Sequence, residues 1–155
     1  MRQACRGQVS HVIQLKDYFE DLSNVYFITD YFSSGDLEQY VLANWEYTPV
    51  PEAIVKDILR QLVVAVKELH ERHIMHRDIK ERNVLVTVED NKLKVVLADF
   101  GISVQLESAS ATRSRPVGTR GYFPPEMLKF KPYSLPVDIW SLGTIMHFLL
   151  TMKTP

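Results

Sequence analysis

Cysteine is nearly missing from this chain of 155 residues: Cys5 stands alone. No internal disulfide can form, and nothing points to a secreted, disulfide-held scaffold. An excess of one charge is missing too. The 18 Lys and Arg face 19 Asp and Glu, a formal net charge of −1, which argues against a polybasic nucleic-acid surface and against an acidic tail. The start, MRQACRGQVS, lacks the apolar core of a signal peptide, and no apolar run reaches the length that spans a bilayer. These absences lead to the expectation of a cytoplasmic or nuclear protein with neither nucleic acid nor membrane as partner. What remains is an ordinary globular composition, 46% hydrophobic and 24% charged, at a length suited to one domain.

Along the chain, 11–19 and 25–32 are rich in Val, Ile, Phe and Tyr, and the polar stretch between them predicts a hairpin. Ser33-Ser34-Gly35-Asp36 leads into a short amphipathic helix over 37–42. Thr48-Pro49-Val50-Pro51 then starts a long helix, in which Ile54, Ile58, Leu62, Ala65 and Leu69 form one apolar stripe. A polar loop over 76–83 precedes two strands, 84–88 and 93–98, turning at Glu89-Asp90-Asn91. From 101 to 125 no period holds, and so long an irregular segment is usually functional or disordered. An apolar helix over 138–151 closes the chain, with Asp138 available as its cap.

The chemistry concentrates in His76-Arg77-Asp78-Ile79-Lys80-Glu81-Arg82-Asn83. One short loop carries a carboxylate, an ammonium and an amide, a set suited to a nucleotide phosphate and a metal. Asp78 could accept a proton, Lys80 neutralise transferred charge and Asn83 offer a hard oxygen ligand. Asp99-Phe100-Gly101 adds a second oxygen ligand beside a glycine.

These residues resemble the eukaryotic protein kinase family, whose catalytic loop reads H-R-D-L-x-x-x-N, followed by D-F-G and an A-P-E anchor. Here the order is HRDIKERN, DFG, Pro124-Pro125-Glu126 and then Asp138-Ile139-Trp140-Ser141-Leu142-Gly143. The resemblance implies an α+β, protein-kinase-like fold, present in part. The end of an N-lobe sheet and the hinge would occupy 1–32, and an incomplete, mainly helical C-lobe up to its central helix 33–155. It implies ATP and Mg²⁺ as cofactors and a Ser/Thr-bearing protein as substrate. Asp78 would be the catalytic base and Lys80 would steady the γ-phosphate, while Asn83 and Asp99 would hold the metal ions. His76 and Phe100 would pack behind the metal motif, Glu126 would anchor the activation segment, and Asp138 would brace the catalytic-loop backbone.

On the same resemblance Thr29 takes the gatekeeper place, the backbones of Asp30 and Phe32 meet adenine, Asp36 lies near the ribose and Leu85 forms the apolar floor. Residues 101–125 become an activation loop with Thr112 and Ser114 as phosphosites and Arg77 as the phosphate partner. A solvated, unregulated loop is the competing reading. Lys80 together with Thr119 favours a serine/threonine kinase over a tyrosine kinase. Two residues depart from the pattern: Glu81 stands for the usual proline and Pro124 for the usual alanine.

Two parts of a complete kinase site have no counterpart. No glycines form G-x-G-x-x-G, and Val64-Ala65-Val66-Lys67 imitates the phosphate-positioning lysine motif from inside the long helix. The later helices and the arginine that would pair with Glu126 are also missing. The expectation is therefore a kinase fragment, inactive as 155 residues alone, that needs the missing lobe segments or a partner. A pseudokinase or truncated scaffold is the alternative.

Overall fold

In the computed structural model, residues 9–153 are described; Cys5, Gly7, Thr154 and Pro155, with the outer bounds expected for the domain, lie outside the described residues. Strands β1 (Asp17–Glu20) and β2 (Val25–Ile28) pair antiparallel, Asp17 opposite Ile28, and every residue of both is exposed. The regular part of the first run is thus shorter than its composition predicts. Residues before it are drawn elsewhere: Val12 bridges Leu97, and Ile13 N–H donates to the Leu97 carbonyl at 2.9 Å.

Helix α1 (Leu37–Trp45) begins where Asp36 Oδ1 accepts the Gln39 N–H, a side-chain cap. Helix α2 (Glu52–Glu71) starts after Pro51. Its stripe is the core's main wall. Ile58, Leu62, Ala65 and Leu69 are fully buried, Ile54 only partly, and Val55 and Val66 widen the face. Each such aliphatic side chain contributes about 1.5–3 kcal/mol on burial. Lys67 lies on the outer face and pairs with Glu71 one turn on, as expected of an ordinary helix residue.

Strands β4 (Val84–Glu89) and β5 (Lys92–Leu97) follow, joined by Asp90 and Asn91 at φ 50° and 58°. Positive φ at both central residues matches a two-residue hairpin turn. Register puts Val84 opposite Leu97 and Val86 opposite Val95, so one face is apolar and packs on α2. Gln61 fastens the contact: its amide donates to the Leu93 carbonyl and accepts the Val95 N–H.

The two-residue strands β3 (Ile74–Met75) and β6 (Val104–Gln105) pair across the segment between them. A short helix α3 (Pro125–Leu128) precedes α4 (Pro136–Thr151), which lies against α2 through Ile145, Phe148 and Leu149. Two expectations for α4 are corrected. The helix begins at Pro136, and Asp138 does not cap it, because the cap position is Leu135 and no side chain bonds the first turn. Among the described residues no helix is long and apolar enough to cross a membrane.

Candidate active site

The loop after β3 is held from below by α4. Asp138, 1% exposed, accepts the His76 N–H on Oδ2 at 2.9 Å and the Arg77 N–H on Oδ1 at 3.0 Å. Its Oδ2 also meets His70 Nε2 at 2.9 Å. Arg77 sits at φ 72°, a left-handed conformation that a non-glycine residue adopts only under constraint. The Asp138 carboxylate, bonded to the His76 and Arg77 amides, supplies that constraint just before Asp78.

Asp78 is gripped on both oxygens. Oδ1 accepts the Thr119 N–H at 3.0 Å and the Thr119 hydroxyl at 2.7 Å. Oδ2 accepts from Lys80 Nζ at 2.8 Å and from the Asn83 amide at 3.0 Å. Burial pushes this carboxyl's pKa up, yet Lys80, Thr119 and Asn83 outweigh it and hold the group below the ordinary carboxylate range. Asp78 is thus an ionised, oriented acceptor at neutral pH. Lys80 Nζ also donates to Thr119 Oγ1 at 2.8 Å, closing a triangle of Asp78, Lys80 and Thr119.

His76 is fully buried, edge-on to Phe100 with ring centroids 4.7 Å apart. Its Nε2–H donates to the Ala98 carbonyl at 2.9 Å, and Nδ1 accepts the Asp78 N–H at 3.3 Å. Burial holds the imidazole pKa down despite the Asp138, Asp78 and Asp99 carboxylates, so the ring is a neutral strut between β5 and the loop. Asp99, just past β5, is exposed at φ 60°, with Oδ1 accepting the Gly101 N–H at 3.2 Å. Among the described residues no cluster of three or more His, Cys, Asp or Glu is placed to hold a metal ion, and the expected oxygen ligands are one amide and one carboxylate. Asn83 uses its amide nitrogen on Asp78, and its carbonyl oxygen, like the second oxygen of Asp99, makes no hydrogen bond among the described residues.

A family model described as "Protein kinase domain" matches residues 2–155. The chain belongs to the protein kinase family. It is 35% identical over 150 residues to "Calcium/calmodulin-dependent protein kinase type 1" of Macrobrachium nipponense, covering 97% of this chain and 42% of that protein. The protein of the same name from Caenorhabditis elegans is 33% identical over 146 residues, covering 94% and 40%. "Serine/threonine-protein kinase PLK4" of Drosophila ananassae is 35% identical over 144 residues, 93% of this chain and 18% of that protein. The chain thus spans about two fifths of the calcium/calmodulin-dependent relatives. Two kinds of kinase match at the same identity, so the likeness is to the kinase domain itself.

The residues expected on the nucleotide side are partly brought together. Asp36 and Leu85, expected at the ribose and the floor, are bridged to each other, and Val86 N–H donates to the Gly35 carbonyl. Thr29 Oγ1 donates to the Asp30 carbonyl and Phe32 C=O accepts the Gly35 N–H, while the Asp30 side chain pairs with Lys16. A cleft of about 400 Å³ is lined by Asp30, Tyr31 and Phe32 with Thr87, Lys94 and Val96; it includes neither Leu85 nor any residue of the 76–83 loop. It is therefore distinct from the catalytic cluster.

The hydroxyls expected to be regulatory are divided. Thr119 sits in the triangle with Asp78 and Lys80, whereas Thr112 and Ser114 are exposed. Arg77, their expected partner, donates Nε–H to the Ile102 carbonyl at 2.7 Å. Arg113 between them pairs with Glu107, and its backbone bridges Tyr133. Glu126 is half-buried and makes no side-chain bond among the described residues. Sequence reasoning noted Glu81 only as a departure and gave Tyr122 no part. The structure buries Glu81 and bonds it to the Tyr122 hydroxyl. Its one signal in sequence was the charged residue in a proline's place.

Proposed function

We propose that the protein is a serine/threonine kinase that transfers the γ-phosphoryl group of ATP to a protein hydroxyl. One observation carries this reading: Asp78 is ionised, fixed on both oxygens and already hydrogen-bonded to a threonine hydroxyl, that of Thr119. A substrate hydroxyl presented to the same carboxylate meets a base whose orientation is set in advance. Asp78 orients that hydroxyl and accepts its proton as the O–P bond forms in line with departure of ADP. Lys80 lies beside it as a point charge for the transferred phosphoryl oxygens. Asn83 and Asp99 would hold Mg²⁺, which supplies charge neutralisation on the phosphates when bound. Thr29, Asp30, Phe32, Asp36 and Leu85 form the nucleotide side on this reading, with 1–32 as the end of the N-lobe and 33–155 as C-lobe.

The test uses the intact gene product with ATP, Mg²⁺ and dephosphorylated casein as a generic acceptor. Wild type transfers phosphate; Asp78→Asn lowers the rate at least about 100-fold, the scale of losing a positioned base, and Asp99→Asn, which removes a carboxylate from the proposed metal site, lowers it markedly too. Equal rates in all three proteins would sink the assignment.

A further inference from the structure

Glu81 is a costly residue for this fold. It is 3% exposed, Oε2 accepts the Tyr122 hydroxyl, and buried Oε1 has no hydrogen-bond partner among the described residues. An apolar side chain of similar volume is often as stable or more stable at such a position, because a buried polar oxygen left unpaired keeps its full desolvation cost. The carboxyl therefore needs an explanation other than stability. Its one side-chain partner among the described residues, Tyr122, supplies one.

Tyr122 ends the 3-10 turn Arg120–Tyr122, and its N–H closes that turn on the Thr119 carbonyl at 2.9 Å. Glu81 opens the 3-10 turn Glu81–Asn83, three residues after Asp78. Asp78 bonds Thr119 and Glu81 bonds Tyr122, both pairs 41 residues apart in sequence. The two segments thus step three residues in register and are clasped at two points. Without the Glu81 bond, the Tyr122 end of the turn keeps, among the described residues, only a long bond from α4, Ser141 Oγ to the Tyr122 carbonyl at 3.5 Å, and the alignment of Thr119 against Asp78 would relax.

We infer that Glu81 is a positioning residue: through the Tyr122 hydroxyl it holds the 119–122 turn against the catalytic loop and so sets the Thr119–Asp78–Lys80 triangle. The inference rests on the kinase reading above. Glu81 touches no reacting atom; it acts through Tyr122. Glutamine keeps an oxygen acceptor for that hydroxyl, whereas methionine keeps the volume and removes the acceptor.

The experiment measures kcat, the KM for ATP and the melting temperature of the intact gene product, with dephosphorylated casein as acceptor. Glu81→Met and Tyr122→Phe each lower kcat about tenfold with the KM for ATP within twofold of wild type. Glu81→Met melts at or above the wild-type temperature. Glu81→Gln recovers most of the kcat lost in Glu81→Met, and the double variant Glu81→Met/Tyr122→Phe is no slower than the slower single one. A wild-type kcat in Glu81→Met or Tyr122→Phe overturns the inference, as does a double variant whose losses multiply. A Glu81→Met protein that melts well below wild type, or fails to fold, overturns it too, since the carboxyl would then serve the fold. Failure of the kinase reading looks different: wild type and Asp78→Asn become indistinguishable.

Discussion

Gly118 passes close against the backbone of the 76–83 loop. Its φ is +115°, and a Cβ built there would lie 2.3 Å from the Arg77 carbonyl oxygen. That oxygen belongs to the backbone just before Asp78, which cannot swing aside as a long side chain could. Gly118→Ala is therefore expected to cost more than about 1 kcal/mol, from strain at positive φ and from the clash together. A melting temperature lowered by several degrees, with phosphoryl transfer reduced further than that loss of stability explains, is the expected result; an unchanged protein would place the two segments further apart. The neighbouring Thr119 shows how far single residues were readable. Its identity marked the kind of kinase, but its bonds to Asp78 and Lys80 depend on a chain reversal some forty residues away, which no local pattern encodes. Asp78, Asn83 and Asp99 could be singled out because each sits in a short contiguous motif, the first two in His76–Asn83 and the third in Asp99-Phe100-Gly101 past β5.

At the scale of elements, the strongly periodic ones matched. The stripe along α2 follows directly from side-chain spacing, and the β4–β5 hairpin turns where its polar residues predict, though one residue shorter than expected because Glu89 pairs with Lys92 inside the ladder. The start of α4 did not match, and the cause is tertiary. An aspartate near a helix start reads as a cap, but Pro136 already lies in the first turn, and Asp138 turns its carboxylate out to the His76 and Arg77 amides. Those two N–H groups and His70 have one shared acceptor residue. Asp138→Ala would leave buried donors unpaired, each costing about 1–3 kcal/mol, and release Arg77 from its left-handed conformation. The expected outcome is a loss of several kcal/mol in chemical denaturation, with transfer activity abolished in whatever remains folded. Asp138→Asn keeps one carbonyl acceptor and falls between. Wild-type stability in the alanine variant would show that the loop holds its shape without α4.

Over the whole molecule, apolar surface is unevenly distributed. The main core is closed around α2, β4, β5 and α4. Outside it, the β1–β2 hairpin shows Tyr18, Phe19, Val25, Tyr26, Phe27 and Ile28 at 40% exposure or more. The outer face of α4 shows Ile139, Trp140, Met146 and Leu150. Phe19 and Tyr26 stack on each other with centroids 4.6 Å apart, which covers only one side of each ring. Two-stranded hairpins are marginal alone in water, and unpaired strand edges invite pairing with another copy. Contiguous exposed apolar patches of this kind are unusual on monomeric soluble proteins. The 155-residue polypeptide, prepared by itself, is therefore expected to self-associate at micromolar concentration and to bind a hydrophobic dye. Charged substitutions on the hairpin, Phe19→Lys with Phe27→Lys, should lower both signals while leaving the fold of the α2 core intact by circular dichroism. Sedimentation showing a monomer with no dye binding would mean that these faces find partners within the chain.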